Sequence, residues 1–99
     1  MQNLRISIKP LADADLDEIW LTIALDNVAA ADRLIERIGD KLVQISQFPD
    51  SGTARPDIYA GVRVLVEGNY LLIYCVEAGA IEVLRVLHGA RNLPDLDLI

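Results

Sequence analysis

Residues 62–87, VRVLVEGNYLLIYCVEAGAIEVLRVL, decide the fold class. Branched, leucine and aromatic residues fill three runs, at 62–66, 70–76 and 81–87. Two short links separate them, Glu67-Gly68-Asn69 and Ala78-Gly79-Ala80. Glycine in so short a link accepts the positive φ of a tight hairpin turn, so the runs read as consecutive antiparallel strands. Arg63 and Arg85 each stand mid-strand in apolar surroundings. A buried guanidinium must reach a carboxylate, an edge or a partner, because leaving it unpaired is very costly.

N-terminal to this sheet, residues 49–61 (PDSGTARPDIYAG) combine proline and glycine at turn positions and read as a loop. Before it lies an amphipathic helix over about 28–48. Ala31, Leu34, Ile35, Ile38, Leu42 and Ile45 form its apolar stripe, and Arg33, Glu36, Arg37, Asp40, Lys41 and Gln44 its wet side. Gly39 inside that helix costs about 1 kcal/mol relative to alanine, which close packing against a neighbour could offset. Asp26-Asn27 is a helix-capping pair. A first helix, over about 12–25, precedes it, with Ala12, Leu16, Ile19, Trp20 and Ile23 on one stripe and Trp20 therefore expected in the core. Asp13, Asp15, Asp17 and Glu18 crowd its first turns, where the helix dipole favours negative charge. Leu21 and Leu25 fall off the stripe and are expected to be exposed. Residues 4–10, LRISIKP, alternate as a strand with one buried face, which Pro10 ends. The order is β-α-α-β-β-β in one domain over residues 1–99. It predicts an α+β fold, with a helical hairpin packed on one face of a mostly antiparallel sheet.

Composition narrows the function. At 53 % hydrophobic residues the chain is apolar for its length, and a small domain has too much surface to hide all of it. The excess belongs either to a leucine-rich core or to a surface that a partner covers. Fifteen acids against nine bases give a net charge of −6, the wrong sign for autonomous grip on nucleic-acid phosphates. A basic partner fits that charge better, or a site where a few arginines are locally concentrated. The single cysteine, Cys75, rules out an internal disulfide and is expected to be an inert buried thiol. The apolar runs fall short of the roughly 18 residues of a membrane span. A cytoplasmic protein with no membrane contact is the expectation.

The motifs, taken in chain order, resemble the RelE/ParE superfamily of toxins, and the ParE branch within it. They are ADADLDEIW at Ala12–Trp20, DNVAAADRL from Asp26, PDSGTAR from Pro49, VRVL from Val62, NYLLIY from Asn69 and, most ParE-like, IEVLRVLHGARN from Ile81. The resemblance spans nearly the whole chain. It implies a toxin of a type II toxin–antitoxin pair, and a ParD-like antitoxin whose C-terminal segment wraps and blocks it. Operator DNA would be met only through that antitoxin. It also implies DNA gyrase as the target, stalled with its DNA cut. The RelE branch instead cuts messenger RNA on the ribosome, and a member that has lost toxicity would serve only to bind its antitoxin.

RNA cleavage by 2′-OH attack needs a base for the nucleophile, cations for the phosphate and an acid for the leaving group. RelE-like enzymes resemble one another in carrying several Lys and Arg and a tyrosine near the C-terminus. Here residues 91–99 contain no Tyr, His or Lys, and the loop before Arg63 contains no Lys. No cofactor is implied. His88 has no second His or Cys at ligand spacing, so no metal site is expected. The candidate residues for binding target or antitoxin are Arg55, Arg63, Arg85, His88 and Arg91, with the apolar Leu21, Leu25, Leu93 and Leu96. Their plain structural roles compete: Arg63 and Arg85 pairing with Glu67, Glu77 or Glu82, and Arg55, His88 and Arg91 as ordinary loop and turn residues. Leu98 and Ile99 extend the apolar tail as further antitoxin contacts.

Overall fold

A computed structural model of the chain describes residues 3–89. Strand β1 (Arg5–Ile8) leads into helix α1 (Pro10–Ala24), helix α2 (Val28–Gln47) and a single 3-10 turn at Pro49–Ser51. Strands β2 (Thr53–Ala54), β3 (Arg63–Glu67), β4 (Tyr70–Glu77) and β5 (Ala80–His88) follow. The sheet order is β1-β5-β4-β3-β2. Strand β1 pairs with β5 in parallel, and every other pairing is antiparallel. The α+β architecture and the mostly antiparallel sheet are as expected.

Three differences have physical causes. Pro10 opens α1 instead of closing β1, because its missing N–H is one of the donors a helix start leaves free anyway. Strand β2 lies inside the expected loop: Thr53 pairs with Val64 and Ala54 with Arg63. Two residues are too few to display an alternation, so the sheet has five strands where the pattern predicts four. Gly39 has nothing within 4 Å of where a Cβ would stand, so no close packing compensates it.

The turns behave as their residues dictate. The Asn27 side chain accepts the Ala30 N–H at 3.0 Å, capping α2. Gly68 has φ +58°, and the Ala78-Gly79 turn takes φ +51° and +75°, the left-handed pair of a type I′ hairpin.

Core residues from both helices, among them Ala12, Leu34, Ile38 and Ile45, close on Leu72, Tyr74, Ile81, Val83 and Val86 of the sheet. The other sheet face has its own apolar cluster of Val62, Val64, Ile73 and Leu87, with Ile58, Leu71 and Leu84 packed against it. Trp20 does not join either cluster. It is half-buried, and its Nε1–H donates to Asp32 Oδ1 at 2.8 Å, tying α1 to α2 across the hairpin. A ring with a polar edge can serve both purposes, and here the hydrogen bond places it at the rim.

Candidate functional site

Strand β5 sets the geometry. A β-bulge breaks its register with β4: Tyr74 faces Val83, but Ile73 faces Arg85, and Leu84 is the extra residue. Val83 and Val86, three apart, can then both join the helix-side core, while Leu84 and Leu87 join the opposite cluster. Beside the bulge, Asp15 of α1 accepts Arg85 Nε–H at 2.7 Å and Nη2–H at 3.0 Å. The same carboxylate accepts the Val86 backbone N–H at 3.0 Å. The two side chains are only 14 % (Arg85) and 12 % (Asp15) exposed.

Arg63 is held on β3, across β4 from Arg85. Its Nη1–H donates to the Gly52 carbonyl at 2.7 Å, and Nη2 lies 3.5 Å from Asp50. The expected pairings of Arg63 and Arg85 with Glu67, Glu77 or Glu82 are therefore wrong. Arg85 turns to α1, and the face away from the helices is apolar. Glu67 pairs instead with Arg37 and Glu82 with Lys9. Next to Arg63, Tyr74 anchors the turn after α2, accepting the Gly52 N–H at 2.9 Å and donating to the Pro49 carbonyl at 2.6 Å.

Arg55 forks onto Asp57 at 2.9 and 2.7 Å. The hydrogen bond from Arg55 holds the Asp57 carboxyl below its usual value. His88, at the end of β5, meets the Tyr70 ring edge-on, with centroids 5.6 Å apart. Leu21 and Leu25 are 57 % and 82 % exposed and, with Val28 at 54 %, form an apolar tip on the helical hairpin. Arg91, Leu93, Leu96, Leu98 and Ile99 lie outside the described residues. The candidates thus fall at three places: Arg85 and His88 around β5, Arg55 and Arg63 around β2 and β3, and Leu21 and Leu25 at the hairpin tip.

Comparison with known proteins gives this geometry its family. The family model for the ParE toxin of the type II toxin–antitoxin system parDE matches residues 6–93. The chain belongs to the ParE toxin family. Toxin ParE3 of Caulobacter vibrioides is 28 % identical over 89 residues, spanning 89 % of this chain and 88 % of that protein. A putative toxin, Y4kP, of Sinorhizobium fredii is 32 % identical over 83 residues, spanning 82 % and 83 %. Among solved structures, a chromosomal ParDE system from P. aeruginosa superposes with TM-score 0.73 at 24 % identity, over 87 % of this chain and 96 % of that one. The toxin–antitoxin complex RelBE2 from Mycobacterium tuberculosis superposes with TM-score 0.66 at 22 % identity, over 92 % and 97 %. These two likenesses establish the fold.

In this ParE-family chain, two site residues do not stand out in the sequence pattern. Asp15 reads there as one of several acids in the first turns of α1. Yet it sits three residues after Ala12 and four before Ile19, on the apolar stripe itself, and an acid there calls for a buried cation. Tyr70 reads only as a strand residue. Cys75 is half-buried rather than buried; desolvation first, then the Glu82 and Glu77 carboxylates, raise its thiol above the ordinary value. Those three residues bring one sulfur and two carboxylate oxygens within 4.8 Å of one another. Lys9 already neutralises Glu82 at 3.0 Å. No helix among the described residues is long and apolar enough to cross a membrane.

Proposed function

We propose that this ParE-family toxin works by protein contact: it binds DNA gyrase, stalls the enzyme with its DNA cut, and is held in check by a ParD-like antitoxin. The observation that carries the non-catalytic part is the commitment of both sheet arginines. Arg85 is gripped by Asp15 and Arg63 by the carbonyl of Gly52. Beside Arg85 the acids Asp15 and Glu18 line the surface with Tyr70 and His88. With Asp15 matched by Arg85, the Glu18 carboxylate there repels the phosphate that RNA cleavage must bring in and charge further. For the antitoxin, the exposed Leu21, Leu25 and Val28 offer the apolar face that an amphipathic segment covers. The action is placed in the cytoplasm, and operator DNA is reached through the antitoxin alone.

Two reactions run side by side test this. Gyrase supercoiling of plasmid DNA is titrated with refolded toxin, with and without antitoxin, and ribosome-bound messenger RNA is incubated with the same toxin. Supercoiling should fail, antitoxin should restore it, and the messenger should stay intact. Cut messenger with undisturbed gyrase would replace it with a RelE-like ribonuclease.

A further inference from the structure

The cleft between α1 and strands β4 and β5 has a volume of about 170 Å³. Glu18, Thr22, Tyr70 and His88 stand around it, over Ile19 and Val86. It is smaller than nucleotide and other cofactor sites, which run roughly 300–1,000 Å³. One long side chain is the right scale. Its charge selects the kind of side chain. Asp15 on its wall is already matched by Arg85, which leaves the exposed Glu18 as the uncommitted carboxylate among the described residues of the cleft. A cation is favoured there, the more so in a chain of net charge −6.

The helix spacing links the cleft to the exposed leucines. Glu18, Leu21 and Thr22 of α1 and Leu25 at its C-cap follow one another at 0, 3, 4 and 7 residues, so they share one face of the helix. The acidic cleft is therefore continuous with the exposed leucines of the hairpin tip. At about 1.5 Å per residue, Glu18 and Leu25 lie roughly 10 Å apart along the helix. An amphipathic segment laid along this face meets an apolar contact at one end and a carboxylate two turns away. We propose that the cleft seats one basic side chain, arginine or lysine, carried by the antitoxin about two helical turns from its apolar anchor, with Glu18 as counter-charge. This rests on the antitoxin pairing proposed above.

The test measures the affinity of full-length toxin for the antitoxin encoded beside it, using wild type, Glu18→Gln, Glu18→Lys and, as a control acid on α2, Glu36→Lys. Affinity should fall about tenfold for Glu18→Gln and about a hundredfold for Glu18→Lys, the scale expected when a desolvated charge pair is first removed and then made repulsive. Glu36→Lys should stay within about threefold, and changing one antitoxin Arg or Lys to Glu should restore binding to Glu18→Lys alone. Equal losses for Glu36→Lys, or a Glu18→Lys variant that binds like wild type, would overturn the cleft assignment while the antitoxin pairing stands. No binding by the wild type would overturn the pairing itself. Independently, N-acetyl-arginine N-methylamide should shift the NMR amide signals of Glu18, Thr22 and His88, and N-acetyl-norleucine N-methylamide should not. Equal shifts from both would also refute a charge-selective seat.

Discussion

Replacing Asp15 with alanine removes the side chain that fastens α1 to β5. The carboxylate accepts two N–H groups from Arg85 and one from the Val86 backbone, all at 2.7–3.0 Å. Its side chain is 12 % exposed and that of Arg85 14 %. Removing one partner of a buried, hydrogen-bonded ion pair costs roughly 3–5 kcal/mol, because the other charge stays desolvated. The residual exposure of both groups puts this case at the lower end, about 3 kcal/mol. For a domain whose total stability is of order 5–15 kcal/mol, that is a large share. At roughly 4–5 °C per kcal/mol for this size, the melting temperature should fall by about 12–15 °C. Urea unfolding followed by far-UV circular dichroism gives the same quantity, with the denaturant slope expected to hold. Strong non-additivity should accompany the loss. Arg85→Met and Asp15→Leu together should recover much of what either costs alone, since a packed apolar pair need not be worse than the ion pair. A loss under about 1 kcal/mol for Asp15→Ala, or an additive cycle, would refute the claim that this pair is a desolvated unit.

Three other substitutions or titrations follow from particular contacts. Gly39→Ala should stabilise by about 1 kcal/mol, because the helical position is open around the new methyl group; an unchanged or lower urea midpoint would contradict it. Gly52→Ala should destabilise by about 1–3 kcal/mol, since its Cβ would stand 2.7 Å from the Tyr74 hydroxyl oxygen that accepts its own N–H. Thermal unfolding of that variant beside Tyr74→Phe, singly and combined, should show effects that are less than additive. The raised Cys75 thiol should react with iodoacetamide more slowly in the folded protein than in urea at about pH 8, near the ordinary thiol value, and the gap should narrow as pH climbs. Its sign in stability is fixed by linkage: a thiol whose folded value is raised keeps its proton longer when folded. Its contribution is complete below the unfolded thiol's value and is lost as pH rises through the folded one.

The helices and the longer strands were legible because α1, α2 and β1 carry a sustained period, 3.6 for the helices and 2 for the strand, and because glycine-containing links punctuate β3, β4 and β5. Two-residue β2 has no period to read, and its pairing with Val64 and Arg63 depends on how the turn after α2 is pinned by Tyr74. The bulge at Leu84 is invisible for a related reason: β5 is apolar on both faces, so a shift of one residue leaves no mark in the pattern. That shift also hid the direction of Arg85 and its true partner. Asp15 could have been found, since an acid on the core stripe of α1 is a conflict only a cation resolves. The separation of Arg63 from Arg85 could not, because alternation places residues on faces and says nothing of the distance across a sheet. Trp20 misled because its spacing is that of the stripe, while its N–H found Asp32 at the hairpin rim.

Contact with gyrase is tested by recovery of DNA covalently bound to gyrase after the toxin is induced in cells without antitoxin. Such gyrase–DNA complexes should accumulate within the period of growth arrest, and co-expressed antitoxin should abolish both. Growth arrest with no rise in gyrase-linked DNA would contradict the claim.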